Sequence, residues 1–161
     1  MFDLTNKVVL LTGATGGIGK SIAKKMKEKG AKLILSGTRQ NILNELSSEL
    51  GDDTKAIATD LTSKESIMSL ATEAESSFGH IDILINNAGI TADNLFLRMK
   101  DEEWENVIKV NLSASMSLTR TVIKGMLKRK FGRIIFISSI VGFTGNSGQA
   151  NYSASKSALS G

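Results

Sequence analysis

The stretch Val8-Val9-Leu10-Leu11-Thr12-Gly13-Ala14-Thr15-Gly16-Gly17-Ile18-Gly19 decides the fold. Four apolar residues, two of them β-branched, run straight into a glycine-rich turn, which reads as a buried strand ending abruptly. Ile18, Ile22, Ala23 and Met26 then recur at helical spacing, and Gly30 stands where a helix C-cap is wanted. A strand, a glycine turn and a helix in that order make a cradle for an anion. The turn lets a phosphate approach the backbone, and the helix N-terminus supplies free amides and a positive dipole end. Gly13, Gly17 and Gly19 provide the tight turn, room for the phosphate and close helix packing.

Working outward, the same alternation repeats. Leu33-Ile34-Leu35 reads as a second strand, and Ile42, Leu43, Leu46 and Leu50 as a second helix stopped by Gly51. Ala56-Ile57-Ala58 is a weaker third strand. Thr62-Ser63-Lys64-Glu65 has the spacing of a capping box, opening a helix that buries Ile67, Leu70, Ala71, Ala74 and Phe78 and ends at Gly79. Ile81–Ile85 is a fourth strand. The set Trp104, Val107, Ile108, Leu112, Met116, Thr119, Val122, Ile123 and Leu127 predicts one long helix, and Ile134–Ile137 a fifth strand. Strand runs that are continuously apolar signal parallel strands covered on both faces. Five of them separated by helices predict an α/β chain with a doubly wound, Rossmann-type parallel sheet, and residues 1–161 read as a single dinucleotide-binding domain.

Composition narrows the function. Hydrophobic residues make up 41% and charged residues 22%, ordinary values for a soluble chain. The absence of cysteine excludes a disulfide framework, a thiol nucleophile and thiolate metal sites, and no metal site is expected. The N-terminus has no long apolar segment of a signal peptide, and no stretch approaches the ~20 apolar residues of a membrane span, so a cytoplasmic protein is expected, with no membrane partner. Net charge is +4, much of it in Lys20, Lys24, Lys25, Lys27 and Lys29 and in Lys124, Lys128, Arg129, Lys130 and Arg133. These read either as solvated helix faces or as attraction to an anionic cofactor or acidic protein; nucleic acid is not expected, since no recognition motif accompanies the charge.

Cofactor choice is read after the second strand. Ser36-Gly37-Thr38-Arg39 contains no acid to bond a ribose 2'-hydroxyl, whereas Thr38 and Arg39 suit a 2'-phosphate, favouring NADPH over NADH. The other reading of Arg39 is that it merely opens the next helix. Asp60-Leu61 follows the third strand, where an adenine edge is met. Asn86-Asn87-Ala88-Gly89 follows the fourth, its asparagines either tying strand ends together or lining the cofactor groove.

The other end of the chain suits a proton transfer. Tyr152 is the only tyrosine, and a free phenol with a pKa of ~10 exchanges its proton poorly at neutral pH. Lys156, at i+4, shares its helix face, and an ammonium there favours a phenolate. Ser139, after the fifth strand, can donate to a substrate oxygen. Asn111, on the long helix, is placed to hold a water that relays protons to Lys156. Together these residues point to reduction of a carbonyl by a nicotinamide dinucleotide.

At this point the residues resemble a known family. Thr12-Gly13-x3-Gly17-x-Gly19, Asn86-Asn87-Ala88-Gly89, Asn111, Ser139, Tyr152 and Lys156 resemble the short-chain dehydrogenases/reductases over all 161 residues. Gly89-Ile90-Thr91-Ala92-Asp93-Asn94-Leu95 and Gly148-Gln149-Ala150-Asn151-Tyr152 are similar to the branch that reduces 3-oxoacyl groups on acyl carrier protein. The resemblance implies a Ser139-Tyr152-Lys156 triad widened to a tetrad by Asn111. It implies an NADPH site of Gly13, Thr15, Gly17, Ile18, Gly19, Thr38, Arg39, Asp60, Leu61, Asn87, Ala88 and Gly89, with Tyr152 and Lys156. It also implies a homotetramer and a basic docking surface for acyl carrier protein, in which Arg129 and Lys130 are expected contacts. There are two departures. Thr15 stands where many NADPH users carry a basic residue. The family pattern also continues beyond Gly161 through two strands and a substrate lid, so the chain reads as truncated on its C-terminal side. A catalytically silent dinucleotide-binding fragment and a reductase of another carbonyl substrate are the alternative readings.

Overall fold

The computed structural model describes residues 3–161. Strands β1 (Val8–Leu11), β2 (Lys32–Gly37), β3 (Thr54–Ala58), β4 (Ile83–Asn86) and β5 (Arg133–Phe136) form one parallel sheet in the order β3-β2-β1-β4-β5. Helices α1 (Gly17–Glu28), α2 (Gln40–Leu50) and α3 (Lys64–Phe78) connect the first four strands. A 3-10 turn (Phe96–Arg98) leads into α4 (Asp101–Ile108) and, through a π-helical turn at Lys109–Ser113, into α5 (Ala114–Arg129). A short α6 (Val141–Thr144) precedes α7 (Ala150–Ala158). The doubly wound α/β reading holds.

Strand side chains alternate between two cores because successive residues point to opposite faces. Leu10, Ile34 and Leu84 pack against Ile67, Leu70 and Ala74 of α3 and Leu118 and Val122 of α5. Val9, Leu11, Leu33, Leu35, Ile83 and Ile85 pack against Ala23 of α1 and Leu43 and Leu46 of α2. Every residue of β1 and β4 is buried, the pattern of strands covered on both sides.

The edge strands correct that reading for β3 and β5. In β5 exposed and half-buried residues alternate, and Ile135 is 39% exposed. Ile135 pairs with Ile85 on the face carrying α1, and α1 packs over β1 and β2, leaving this side of β5 open. The long helix also needs amending. It runs continuously from Asp101 to Arg129, but with a wider π turn around Asn111. Its Met116 and Leu127 face outward, at 51% and 68% exposure. The cap of α3 lies one residue later than its sequence suggests. Ser63, not Thr62, is the N-cap: its hydroxyl accepts from Ser66 N at 3.1 Å and donates to Glu65 at 2.9 Å. Thr62 instead donates its amide and hydroxyl to Asp60 Oδ1, each at 2.8 Å.

No described helix is long and apolar enough to cross a membrane. The two-sided packing of α5 is directly testable. Leu118→Ala, at a fully buried position, is expected to lower unfolding free energy by about 2–5 kcal/mol in urea titration. Met116→Ala, two residues away, should stay within about 0.5 kcal/mol. Equal losses would contradict the helix orientation.

Candidate active site

The strand order reverses direction at β1, which lies between β2 and β4, and a crevice opens where the C-terminal ends of β1 and β4 diverge. Thr12 closes the base of that crevice. Its buried hydroxyl accepts from Asn87 N and Ala88 N, both at 3.1 Å, and donates to Ile85 O at 3.4 Å. Asn87 answers from the other strand, Nδ2 donating to Thr12 O at 3.0 Å and Gly13 O at 3.2 Å. Asn87 therefore both ties the strand ends and lines the groove. Asn86 does neither: it is buried and its Nδ2 donates to Thr119 Oγ1 of α5 at 3.1 Å, tying the end of β4 to that helix.

The glycines are explained by what surrounds them. Gly13 takes φ +66°, and a Cβ there would lie 2.8 Å from Ala88 Cα. A Cβ on Gly19 would run into Gly13 O and come within 2.8 Å of Ala14 Cα, so the first turn of α1 can lie against the loop only without a side chain. Gly16, the N-cap of α1, offers no side chain to its first-turn amides, and no acid occupies that turn. Those N–H groups and the dipole end are left to face an anion.

A cavity of about 560 Å3 opens in front of them, within the size range of ligand sites. The structure gathers around it the predicted Gly13, Thr15, Gly17, Ile18 and Gly19, Thr38 and Arg39, Asp60 and Leu61, and Asn87, Ala88 and Gly89. Ile18, read as part of an apolar helix face, is 64% exposed because it points into this opening rather than the core. Arg39 does more than precede α2. Its guanidinium reaches across to donate to Thr15 O at 2.8 Å, bringing a cation to the position where Thr15 itself lacks one. The Asp60 carboxyl is held below its ordinary range, first by the Thr62 amide and then by the Thr62 hydroxyl. Thr59, Thr62, Ile90, Asn106 and Val110 also line the cavity and were not singled out from sequence. Thr59 carried a signal, since it directly follows a strand. Asn106 and Val110 did not, because helical periodicity alone does not say which turn faces a groove.

Ser139, Tyr152 and Lys156 lie beside the cavity rather than in its wall. Tyr152 and Lys156 share one face of α7, with Lys156 Nζ 5.7 Å from the phenol ring centroid. Lys156 is only 4% exposed, and its Nζ donates to Ile137 O at 2.7 Å. Burial pushes the pKa of its ammonium down from the ordinary lysine value. Ser139 Oγ accepts from Val141 N at 3.3 Å, which leaves its hydrogen free to donate. The neighbouring Ser138 hydroxyl donates to Lys156 O at 2.8 Å, and Ser153 Oγ to Val141 O at 3.0 Å, so α7 is fastened to the turn that follows Ser139.

Asn111 does not present a free amide to Lys156. Its Nδ2 donates to Ile90 O at 3.0 Å and to Ser155 Oγ at 3.0 Å, while Oδ1 accepts from Ile90 N at 2.8 Å. The amide is a clamp between the loop after β4 and α7. Gly89 is where the two halves of the site meet: a Cβ on this cavity residue would sit 3.3 Å from Lys156 Nζ and 3.4 Å from Asn111 Oδ1. Arg129 and Lys130 lie elsewhere. Arg129 Nη2 donates to Ile81 O at 2.5 Å, just before β4 begins, at the opposite end of the strands from the cavity.

The family model of short chain dehydrogenases matches residues 7–161. Nodulation protein G of Rhizobium sp. (strain N33) is 47% identical over 161 residues, covering 100% of this chain and 66% of that protein. The 3-oxoacyl-[acyl-carrier-protein] reductases FabG of Haemophilus influenzae and Escherichia coli (strain K12) are each 46% identical, over 98% and 99% of this chain and 65% of theirs. The chain thus spans about 65% of the length of these curated relatives.

Two outcomes test the site. Gly19→Ala is expected to weaken binding of a nicotinamide dinucleotide and to lose about 1–3 kcal/mol of stability, because the backbone it meets cannot retreat; unaltered binding by reduced-nicotinamide fluorescence would refute the packing argument. Lys156→Met removes a buried cation. The unfolded chain holds the Lys156 proton more tightly than the folded one, so folding releases a proton and stability rises with pH up to the ordinary lysine value of about 10. The advantage of Lys156→Met over the parent in melting temperature should therefore shrink between pH 7 and pH 10. A gap that widens would reverse the sign of the argument.

Proposed function

The chain belongs to the short chain dehydrogenase family, and on that premise we propose that it carries the site for NADPH-dependent reduction of a 3-oxoacyl thioester on acyl carrier protein to the 3-hydroxyacyl form, a step of fatty acid biosynthesis. The observation that carries the reading is the meeting at Gly89. The wall of a dinucleotide-sized cavity there lies so near the lysine beside the only tyrosine that a Cβ added at Gly89 would come within 3.3 Å of its Nζ.

The residues present fit a dinucleotide. The glycine turn and the α1 N-terminus would hold its pyrophosphate, Thr38 and Arg39 a 2'-phosphate, and Asp60 and Leu61 the adenosine side, with Asn87, Ala88 and Gly89 running along the groove. When bound, the cofactor supplies the hydride that reduces the carbonyl carbon. The chain's own residues manage the oxygen. Ser139 would donate its free hydroxyl hydrogen to that oxygen as negative charge builds on it. Tyr152 would transfer its phenolic proton to the same oxygen. Lys156, on the same helix face, would stabilise the phenolate left behind. Asn111 would support all three by holding the Ile90 loop against α7.

Acyl carrier protein enters the proposal through the names of the reductase relatives. Arg129 and Lys130, at the N-terminal end of the strands, would contact a carrier bound at this chain's own cavity only through another subunit. A homotetramer of the longer protein in the cytoplasm completes the reading, supported by the outward Phe96 and Leu97, 76% and 96% exposed.

The test mixes the purified chain with NADPH and acetoacetyl-acyl carrier protein and follows NADPH absorbance. Turnover is expected, falling by about 10²–10⁴-fold in Tyr152→Phe. NADPH binding without oxidation, under conditions in which a longer homologue turns over, would replace the reductase with a silent dinucleotide-binding unit. Oxidation with simple ketones but not the thioester would move the substrate class.

A further inference from the structure

The segment from Gly89 to Asn94 leaves β4 and passes α7 with alternate residues fastened. Ile90 is held through both its N–H and C=O by Asn111. Ala92 O accepts from Asn151 Nδ2 at 2.9 Å. Asn94 N donates to Gly148 O at 2.9 Å, just before α7 begins. Asn151 is the central fastening and has no exposed surface. Its second Nδ2 hydrogen goes to Glu103 O of α4 at 3.3 Å, and its Oδ1 accepts from Tyr152 N at 2.7 Å.

A carboxamide has two donor hydrogens and an acceptor oxygen on one rigid plane. In Asn151 the two hydrogens serve two different elements and the oxygen serves the next residue in the chain. The loop it binds continues directly from the cavity wall at Gly89 and Ile90. The residue whose amide it binds carries the phenol. Nothing else on the first turn of α7 joins three elements in this way: Gln149 reaches only Asp93 Oδ2 and Asn146, both exposed.

We infer that Asn151 is a positioning residue that fixes the Tyr152 turn of α7 against the 89–94 loop and so sets where the phenol stands relative to the cavity. Its consequence for turnover rests on the reductase reading above; its effect on the placement of Tyr152 does not. The physical reason for expecting a rate effect is that proton and hydride must reach the two ends of one carbonyl bond. A misplacement of about 1 Å in such an arrangement costs on the order of 10²-fold.

Because Tyr152 is the only tyrosine, 3-fluorotyrosine labelling puts one fluorine reporter on it. Asn151→Asp keeps the shape and the acceptor but removes both donors and sets a carboxylate against two carbonyls. Asn151→Ser is the second variant and keeps one short donor. Each is expected to melt cooperatively and keep its NADPH affinity while the fluorine line of Tyr152 moves or broadens. In turnover, kcat should fall by about 10²-fold with a smaller change in KM, and the isotope effect from deuterated NADPH on kcat should rise. A residue that matters only for folding would lower the active fraction and leave both the isotope effect and the fluorine line unchanged; that result overturns the proposal. Loss of cooperative melting in both variants also overturns it. A shifted fluorine line in a chain whose parent shows no turnover would sink the reductase reading and leave the positioning role standing.

Discussion

The site depends on one hydroxyl. Two parallel strands that part company at their ends leave backbone amides with nothing to bond, and burying an unpaired amide costs about 1–3 kcal/mol. Thr12 Oγ1 takes two such amides, those of Asn87 and Ala88, while giving its own hydrogen to Ile85 O. The crevice between β1 and β4 can therefore be open to a ligand and still have satisfied walls. Asn87 reciprocates by binding the carbonyls of Thr12 and Gly13, so the glycine turn is anchored from the neighbouring strand before it reaches α1. The cradle is rigid where it meets the sheet and bare where it meets the cavity.

From that anchored turn, order passes along the chain rather than through space. Asn87, Ala88 and Gly89 form the wall; Ile90 is taken by Asn111; Ala92 is taken by Asn151; and both asparagines also hold α7, at Ser155 and Tyr152. The π turn around Asn111 belongs to the same arrangement. A wider helical turn is a common device at functional positions, and here it carries the buried amide that faces two elements at once. The tyrosine helix is thus referenced to the cavity wall by hydrogen bonds at both of its first two turns.

The part of this that was legible in the sequence was the part written in backbone demands and strong periodicity. Five apolar runs gave the sheet, and the glycines of the first turn announced close approaches that the side-chain geometry then accounts for. Tyr152, Lys156 and Ser139 could be singled out because their chemistry is uncommon in that spacing. What stayed hidden depends on which partner a polar group chooses. Thr62 and Ser63 are equally good caps on paper, and the Asp60 carboxylate decided between them by engaging Thr62. Asn111 reads as support for a proton relay, and its place on a helix does not reveal that its carboxamide also joins Ile90 to Ser155. Arg129 reads as a free surface cation until its guanidinium is found on Ile81 O at the N-terminal end of the strands. The openness of β5 was hidden for another reason: coverage of a strand is set by where helices land, and an apolar run reads the same beneath a helix or beside one.

Lys156 shows why stability and chemistry pull apart at this site. Its ammonium is buried with Ile137 O as its one hydrogen-bond partner among the described residues, and desolvation works against the charge. A sequence selected only for folding would place an apolar side chain there. The surroundings instead hold the lysine in place: Gly142 lets α6 pack directly on the Lys156 backbone, where a Cβ would come within 2.9 Å of its carbonyl carbon. Gly89 withholds a side chain that would crowd Nζ and Asn111 Oδ1 together. One glycine thus lets α6 lie against the backbone of α7, and the other removes steric bulk beside an unfavourable charge. Neither has a positive φ, so what they provide is space rather than backbone freedom. Space kept open beside a costly buried cation, on the side that faces a cavity wall, is not required by the packing of the sheet, and the role proposed for Lys156 beside the Tyr152 phenol accounts for it.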